Sequence, residues 1–180
     1  MNVALFGGSF DPPHNGHISI IDTALKELDI DKLIVIPAYL NPFKSKSVAP
    51  AELRLDWLKQ IIDNSHVEIS DFEVKQHKKV PSIESVKHFK KGVETLYFII
   101  GADNLKSLSS WYAYEELNTL VTWVVASRDD ISIDKKYICL HVNEPVSSTQ
   151  IREKPKKEDL PKEIATSVIN YYKEYYARTH

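Results

Sequence analysis

A glycine-rich turn between an apolar run and an amphipathic run constrains this chain more than any other feature. Residues 7–17 read GGSFDPPHNGH and hold three of the chain's five glycines. Residues 3–6 before the turn are apolar, and the apolar positions from Ile18 to Leu28 recur at the spacing of one helix face. The pattern predicts a strand that turns directly into a helix. At such a junction the backbone N–H groups can approach an anion closely, which favours phosphate binding.

Two histidines stand at the start of the predicted helix. His14 and His17 are three residues apart, which places them on the same side of the first turn. Half of a metal site is one interpretation, but zinc needs three or four protein ligands, and Cys139 and the other histidines are scattered. A tight turn without a ligand is another. The combination with the glycines favours a phosphate-binding floor with two imidazoles beside it.

Strands and helices alternate along the rest of the chain. Continuous apolar runs predict buried strands at 32–37, 67–69, 95–100, 121–126 and 137–142. Helical spacing predicts helices at 52–62, 82–91 with Ser82 as the N-cap, 111–117, from 147, and 164–176. The polar segment 71–81 reads as an extended segment or loop. We therefore expect an α/β, Rossmann-like, doubly wound fold with a mainly parallel sheet. It should be a single domain over 1–180, with the helical end from about 147 packed on it.

Composition limits the partners and the compartment. The 180 residues are 43% hydrophobic, which suffices for a core, and carry a net charge of −2, which gives no electrostatic case for long nucleic acids. A single cysteine suits a reducing compartment, and no apolar run reaches the length of a membrane span. We expect a soluble, cytoplasmic protein whose partners are small molecules, not nucleic acid or membrane. The oligomeric state stays open, a homodimer included.

The turn resembles the signature of a known superfamily. Gly8, Phe10, Pro12, His14 and His17 match the pattern Gly-x-Phe-x-Pro-x-His-x-x-His of the nucleotidyltransferases related to class I aminoacyl-tRNA synthetases. The fuller reading of residues 7–17 is similar to the bacterial nicotinate-nucleotide adenylyltransferases. Residues 147–152, SSTQIR, resemble the second motif of that family, Ser-Ser-Thr-x-Ile-Arg. Together the two motifs extend this resemblance over nearly the whole chain.

The resemblance implies transfer of AMP from ATP to nicotinate mononucleotide, which yields deamido-NAD and pyrophosphate. It implies Mg²⁺ as cofactor, held mainly through the phosphates of ATP, and no dedicated metal-binding residues. The catalytic residues it implies are His14, His17, Lys44 and Arg152. The ATP and phosphate ligands it implies are Gly7, Gly8, Ser9, Phe10, Ser147, Ser148, Thr149 and Arg128. The mononucleotide ligands it implies are Asp103, Trp111 and Ser82, with the tryptophan stacked on the pyridine ring.

Several positions depart from the family or have simpler interpretations. Phe43 stands where the family commonly has histidine, so only Lys44 of that loop carries over. The tyrosine and threonine that usually follow Ser82 are absent, which leaves the preference for the acid over the amide acceptor open. Plain surface roles remain open for Lys44 and Arg128, as do a packing role for Trp111 and a turn-shaping role for Asp11.

Two other functions compete with this one. The first is a sibling nucleotidyltransferase that uses nicotinamide mononucleotide, phosphopantetheine or a small alcohol phosphate. The second is a nucleotide-binding regulator without catalysis. The complete histidine pair and Arg152 favour an enzyme over the regulator.

Overall fold

The fold is an α/β sandwich around one parallel sheet. A computed structural model describes residues 1–127, 132–142 and 146–179. The strands are β1 (Asn2–Gly8), β2 (Lys32–Pro37), β3 (Val67–Ile69), β4 (Thr95–Gly101), β5 (Thr122–Ser127) and β6 (Ile138–His141). The helices are α1 (Asn15–Glu27), α2 (Ala51–Ile61), α3 (Phe72–Lys75), α4 (Ser82–Phe89), α5 (Tyr114–Leu120), α6 (Ser148–Glu153) and α7 (Ala165–Thr179). Two 3₁₀ helices span Ala102–Ser110 and Lys157–Asp159.

The strand order fixes where a ligand can bind. The described strands form a six-stranded sheet in the order β3-β2-β1-β4-β5-β6, with every neighbouring pair parallel. The chain runs outward from β1 in one direction and, from β4, in the other. In such sheets the crevice at the carboxyl ends of the two central strands is the usual ligand site. The expected Rossmann-like, doubly wound fold is therefore confirmed.

Alternation along β1 divides the core into two faces. Val3 and Leu5 pack with Val86 of α4 and Leu117 of α5, while Ala4 and Phe6 belong to the core on the other face. That second face is covered by α1 and by Leu58 of α2. Because both faces of the strands are buried, the strand sequences are continuously apolar, as parallel sheets require.

Three local predictions were wrong. Segment 71–81 contains the one-turn helix α3, in which the N–H of Lys75 donates to the carbonyl of Asp71. Pro81, and not Ser82, is the N-cap of α4, and no side chain caps that helix. The helix predicted at 111–117 is α5, which begins only at Tyr114, and a 3₁₀ helix that ends at Ser110 precedes it. Short-range hydrogen bonds decide these ends, and hydrophobic spacing does not report them.

The C-terminal helix α7 packs beside the sheet rather than on it. Tyr172 is fully buried in a cluster with Trp57, Ile151 and Val168. The cluster joins α2, α6 and α7. It also contacts the turn of residues 7–17, because the Tyr172 hydroxyl donates to the carboxylate of Asp11.

Candidate active site

A cavity of about 370 Å³ opens at the carboxyl ends of β1 and β4. Ten predicted site residues line it: Gly7, Gly8, Ser9, Phe10, His17, Lys44, Ser82, Asp103, Trp111 and Ser148. His14 lies against His17, and Ser147, Thr149 and Arg152 lie on or next to α6 beside the cavity. Arg128 lies outside the described residues. The fold thus gathers side chains more than a hundred residues apart in sequence.

The two histidines build the N-terminus of α1 and are fixed by it. His14 is the N-cap, and its Nδ1 accepts from the N–H of Gly16 at 3.1 Å. The Nδ1 of His17 accepts from the N–H of His14 at 3.1 Å. The two rings stack with centroids 3.8 Å apart. Because each Nδ1 is an acceptor, the neutral rings carry their proton on Nε2, which makes both Nε2 atoms donors.

Two glycines allow close approaches that a side chain would block. A Cβ on Gly16 would lie 2.9 Å from Cε1 of His14, so only glycine lets this ring fold back over the helix start. A Cβ on Gly101 would lie 2.6 Å from Oδ1 of Asp103. Glycine therefore allows the Asp103 carboxylate to sit close over the end of β4. These contacts explain why glycine occurs at both positions.

Lys44 lies in the loop between β2 and α2, at the rim of the cavity. Its Nζ donates to Oγ of Ser9 at 3.3 Å, which brings the ammonium group over the glycine turn. Desolvation lowers the pKa of Lys44, and the positive charge of Arg152 lowers it further. Two cations therefore share one region of the site, an arrangement that costs free energy unless an anion binds between them.

Helix α6 is fastened to the glycine turn. The hydroxyl of Ser148 donates to the carbonyl of Pro12 at 3.0 Å, and Nη1 of Arg152 donates to the carbonyl of Asp11 at 2.6 Å. Nη2 of Arg152 donates to Oγ1 of Thr149, while Ser147 caps the helix by accepting from the N–H of Gln150. The helix predicted from 147 is confirmed, with Ser147 as its N-cap. Thr149 and Ser147 use their hydroxyls within the protein.

Two buried charges that we did not predict as functional hold the turn and the Lys44 loop together. Arg54 is fully buried, and its guanidinium donates to the carbonyls of Ser9, Tyr39 and Ala49. Burial lowers the pKa of Arg54, and the Asp11 carboxylate partly offsets this effect. The one available sequence signal was the position of this arginine on the apolar stripe of α2, which predicts burial. A buried guanidinium needs several hydrogen-bond acceptors, so such a position indicates a structural anchor.

Asp11 is the second buried charge. Its carboxylate accepts from the N–H groups of Val48 and Ala49 at 2.8 and 3.0 Å and from the Tyr172 hydroxyl at 2.6 Å. Burial and the nearby Asp11 carboxylate raise the pKa of Tyr172, so this hydroxyl keeps its proton. The contacts favour the turn-shaping interpretation of Asp11, since its oxygens are already engaged.

Trp111, Asp103 and Ser82 also line the cavity. Trp111 follows the 3₁₀ helix, and Phe98 and Trp123 meet its ring edge to face. Ser82 opens α4, so its side chain lies at a helix start even though it does not cap it. The other two tryptophans, Trp57 and Trp123, pack in the core, where they are 0% and 6% exposed.

A buried carboxyl group also lines this part of the cavity. Glu73 of α3 is 8% exposed, and its Oε1 accepts from the Ser85 hydroxyl at 2.6 Å. Burial raises the pKa of Glu73 to about 7, partly opposed by the hydrogen bond from Ser85. Sequence patterns did not indicate this residue, because α3 is too short to show helical periodicity.

Known proteins are similar to this chain over nearly its full length. A cytidylyltransferase-like family model matches residues 5–154. The protein named probable nicotinate-nucleotide adenylyltransferase in Sulfurimonas denitrificans is 50% identical over 98% of this chain and 98% of its own length. Its namesake in Campylobacter fetus is 50% identical over 99% of this chain and 100% of its own. The chain belongs to the nicotinate-nucleotide adenylyltransferases.

The nicotinate-nucleotide adenylyltransferase fold extends beyond bacteria. The Plasmodium falciparum nicotinic acid mononucleotide adenylyltransferase complexed with NaAD matches with a TM-score of 0.71 at 24% identity, over 97% of this chain and 95% of that one. At this sequence identity the structural likeness shows a shared fold and no more. Within the described ranges, no helix combines the length and apolar character that crossing a membrane would require.

Proposed function

We propose that this chain transfers AMP from ATP to nicotinate mononucleotide and releases pyrophosphate. The observation that carries the proposal is that a single cavity is lined by His17, Lys44 and Ser148 and also by Asp103, Trp111 and Ser82. The first set suits the triphosphate, and the second suits a ribose with an aromatic base. Family membership at 50% identity supports the same reaction.

The reaction needs alignment and charge neutralisation more than a base. A phosphate oxygen of the mononucleotide attacks the α-phosphorus of ATP, a new P–O bond forms, and the bond to the bridging oxygen of the β-phosphate breaks. The acceptor phosphate is already ionised at neutral pH, so no protein group has to remove a proton. The Nε2 donors of His14 and His17 would stabilise charge on the α-phosphate and the leaving oxygen.

The cations would bring the two anions together. Lys44 and Arg152 would bind the phosphates, and the backbone of residues 7–10 would form the floor beneath them. Asp103 would accept from ribose hydroxyls, and Trp111 would stack on the electron-poor pyridine ring. Ser147 and Thr149 would act mainly by holding α6 and Arg152 in place. Arg128 remains a predicted ligand on the adenosine side.

A divalent metal accompanies ATP in nucleotidyltransferases of this type, and we propose that it is Mg²⁺. No group of three or more His, Cys, Asp or Glu side chains is placed to hold a metal ion within the part of the chain that the structure describes. The oxygens of Asp11 are engaged by backbone N–H groups and Tyr172. We therefore expect the ion to enter with ATP, held by triphosphate oxygens and water.

Pyrophosphate release tests the function. Purified protein, ATP and Mg²⁺ are supplied with nicotinate mononucleotide or nicotinamide mononucleotide in parallel, and we expect turnover with the acid acceptor. Lys44→Met should lower kcat/KM at least tenfold, because a charge-assisted phosphate contact contributes about 1.5–3 kcal/mol. Lys46→Met, an exposed lysine in the same loop, is the matched control. Turnover with neither acceptor would contradict the proposal.

Two broader predictions accompany this function. We propose a single domain over residues 1–180, supported by the hydrogen bonds from α6 and α7 to Asp11 and Pro12. A cytoplasmic location, supported by the single cysteine, stays a prediction. The oligomeric state, a homodimer included, also stays open.

A further inference from the structure

Phe43 exposes an aromatic ring at the mouth of the cavity. Its side chain is 64% exposed, and the residue lines the cavity next to Lys44. A tight turn holds it there: its N–H donates to Oδ1 of Asn41 at 2.9 Å, and the N–H of Lys44 donates to the Asn41 carbonyl at 2.9 Å. A single exposed phenylalanine is common on protein surfaces. Its position opposite Trp111 is what requires an explanation.

The ring of Phe43 faces the ring of Trp111 across the cavity. Their centroids are 6.3 Å apart, and their planes are tilted by 42°. A flat ring stacked between two others needs about 3.5 Å on each side, or roughly 7 Å between the outer centroids. The present separation of the two ring centroids is thus slightly less than the separation that an inserted aromatic ring requires. A small outward movement of an exposed turn and a rotation of the phenyl ring would provide the rest.

Trp111 differs from the other two tryptophans in a way that points to a ligand. Nε1 of Trp57 donates to Oγ of Ser167, and Nε1 of Trp123 donates to Oδ1 of Asn118. Nε1 of Trp111 is buried and has no hydrogen-bond partner among the described residues. A tryptophan that served only to pack would be expected to satisfy this group, because an unpaired buried donor is destabilising. The unpaired Nε1 donor therefore marks the surroundings of Trp111 as a place that a ligand would complete.

We propose that Phe43 is a specificity-determining residue of the acceptor site, which moves slightly outward to admit the pyridine ring so that this ring lies between Phe43 and Trp111. This inference rests on the proposed function, because it assumes that the acceptor is a pyridine nucleotide. A cationic pyridinium ring between two aromatic faces gains an attraction that a non-aromatic acceptor would not. Phe43 thus contributes to acceptor selection, while its neighbour Lys44 contributes to phosphate binding.

Phe43→Leu tests the inference, because leucine keeps apolar volume in the turn and removes the aromatic face. We expect its KM for nicotinate mononucleotide to rise about tenfold, with kcat and the KM for ATP within about twofold of wild type. Phe43→Tyr should restore the wild-type KM. Tyr112→Leu, which removes an aromatic side chain that is 73% exposed next to Trp111, is the matched control and should change neither KM. An unchanged acceptor KM in Phe43→Leu, or an equal rise in the KM for ATP, would overturn the inference.

A binding measurement without ATP separates this inference from the proposed function. Nicotinate mononucleotide should quench the tryptophan fluorescence of the wild-type protein, and Trp111→Leu should remove the quench. Phe43→Leu should shift the quench midpoint about tenfold upward. Quenching with the expected shift but no pyrophosphate release in wild type would support the clamp and contradict the reaction. Pyrophosphate release with identical quench midpoints in wild type and Phe43→Leu would support the reaction and overturn the clamp.

Discussion

The buried carboxyl of Glu73 should make the protein less stable as the pH rises. Glu73 is 8% exposed and has the Ser85 hydroxyl as its hydrogen-bond donor. Burial raises its pKa from 4.5 to about 7. Between about pH 4.5 and pH 7, the native state therefore keeps a proton on Glu73 that the unfolded chain has already lost. Because the native state binds more protons across this window, the free energy of unfolding falls from pH 4.5 to pH 7 and is then level for this group.

The size of the effect follows from the pKa difference. One pKa unit corresponds to about 1.4 kcal/mol, so the difference of about 2.5 units corresponds to about 3 kcal/mol. Glu73→Gln removes the titration and keeps an oxygen that can accept from Ser85. Near pH 4.5 the variant and wild type should have similar free energies of unfolding. At pH 8 the variant should be more stable than wild type by up to about 3 kcal/mol.

Urea unfolding followed by tryptophan fluorescence measures this difference at both pH values. Glu27→Gln, an exposed glutamate in the last turn of α1, is the matched control and should change stability by less than about 0.5 kcal/mol at either pH. If Glu73→Gln is no more stable than wild type at pH 8, the carboxyl does not bear the ionisation penalty that its burial implies. That result would refute the raised pKa of Glu73.

Three further substitutions test the site and its supports. His17→Ala should lower kcat about 100-fold in the pyrophosphate assay, because it removes a donor to the transferred phosphate; an unchanged kcat would speak against that role. Arg152→Lys keeps the charge but loses the planar guanidinium that donates to the Asp11 carbonyl. The KM for ATP should therefore rise about tenfold. A rise in the KM for the acceptor alone would contradict this role. Tyr172→Phe removes a buried donor to Asp11 and should lower the free energy of unfolding by about 1–3 kcal/mol in urea titrations; wild-type stability would show that the hydroxyl contributes nothing.

Most of the fold was predictable because its signals are local. The apolar runs of β1, β2 and β4 and the helical spacing of α1 and α2 appear in the sequence where the structure has these elements. A strand buried on both faces has to be continuously apolar, and a covering helix has to carry an apolar stripe. The exceptions, α3 and the start of α5, are short elements whose ends depend on single hydrogen bonds.

The candidate site likewise has parts that were predictable from the sequence and parts that were not. The glycine turn and the SSTQIR segment could be recognised because each packs several specified residues into a short stretch. The anchors that hold them could not: Tyr172 and Asp11 are separated by 161 positions, and Arg54 bonds three carbonyls from two different loops. No periodic pattern encodes such pairs, because the backbone carbonyl that a buried side chain will meet is decided by how the helices pack.

The sequence alone therefore determined most of the strand and helix pattern, the two motifs at residues 7–17 and 147–152, and the family. Only the tertiary structure decided the surroundings of each charged group: the burial of Glu73 beside Ser85, the engagement of the Asp11 carboxylate, and the approach of Phe43 to Trp111. The physical reason is that chemistry at the site depends on desolvation and on distances between residues far apart in the chain. Both arise only when the loops at the carboxyl ends of β1, β2 and β4 are brought together.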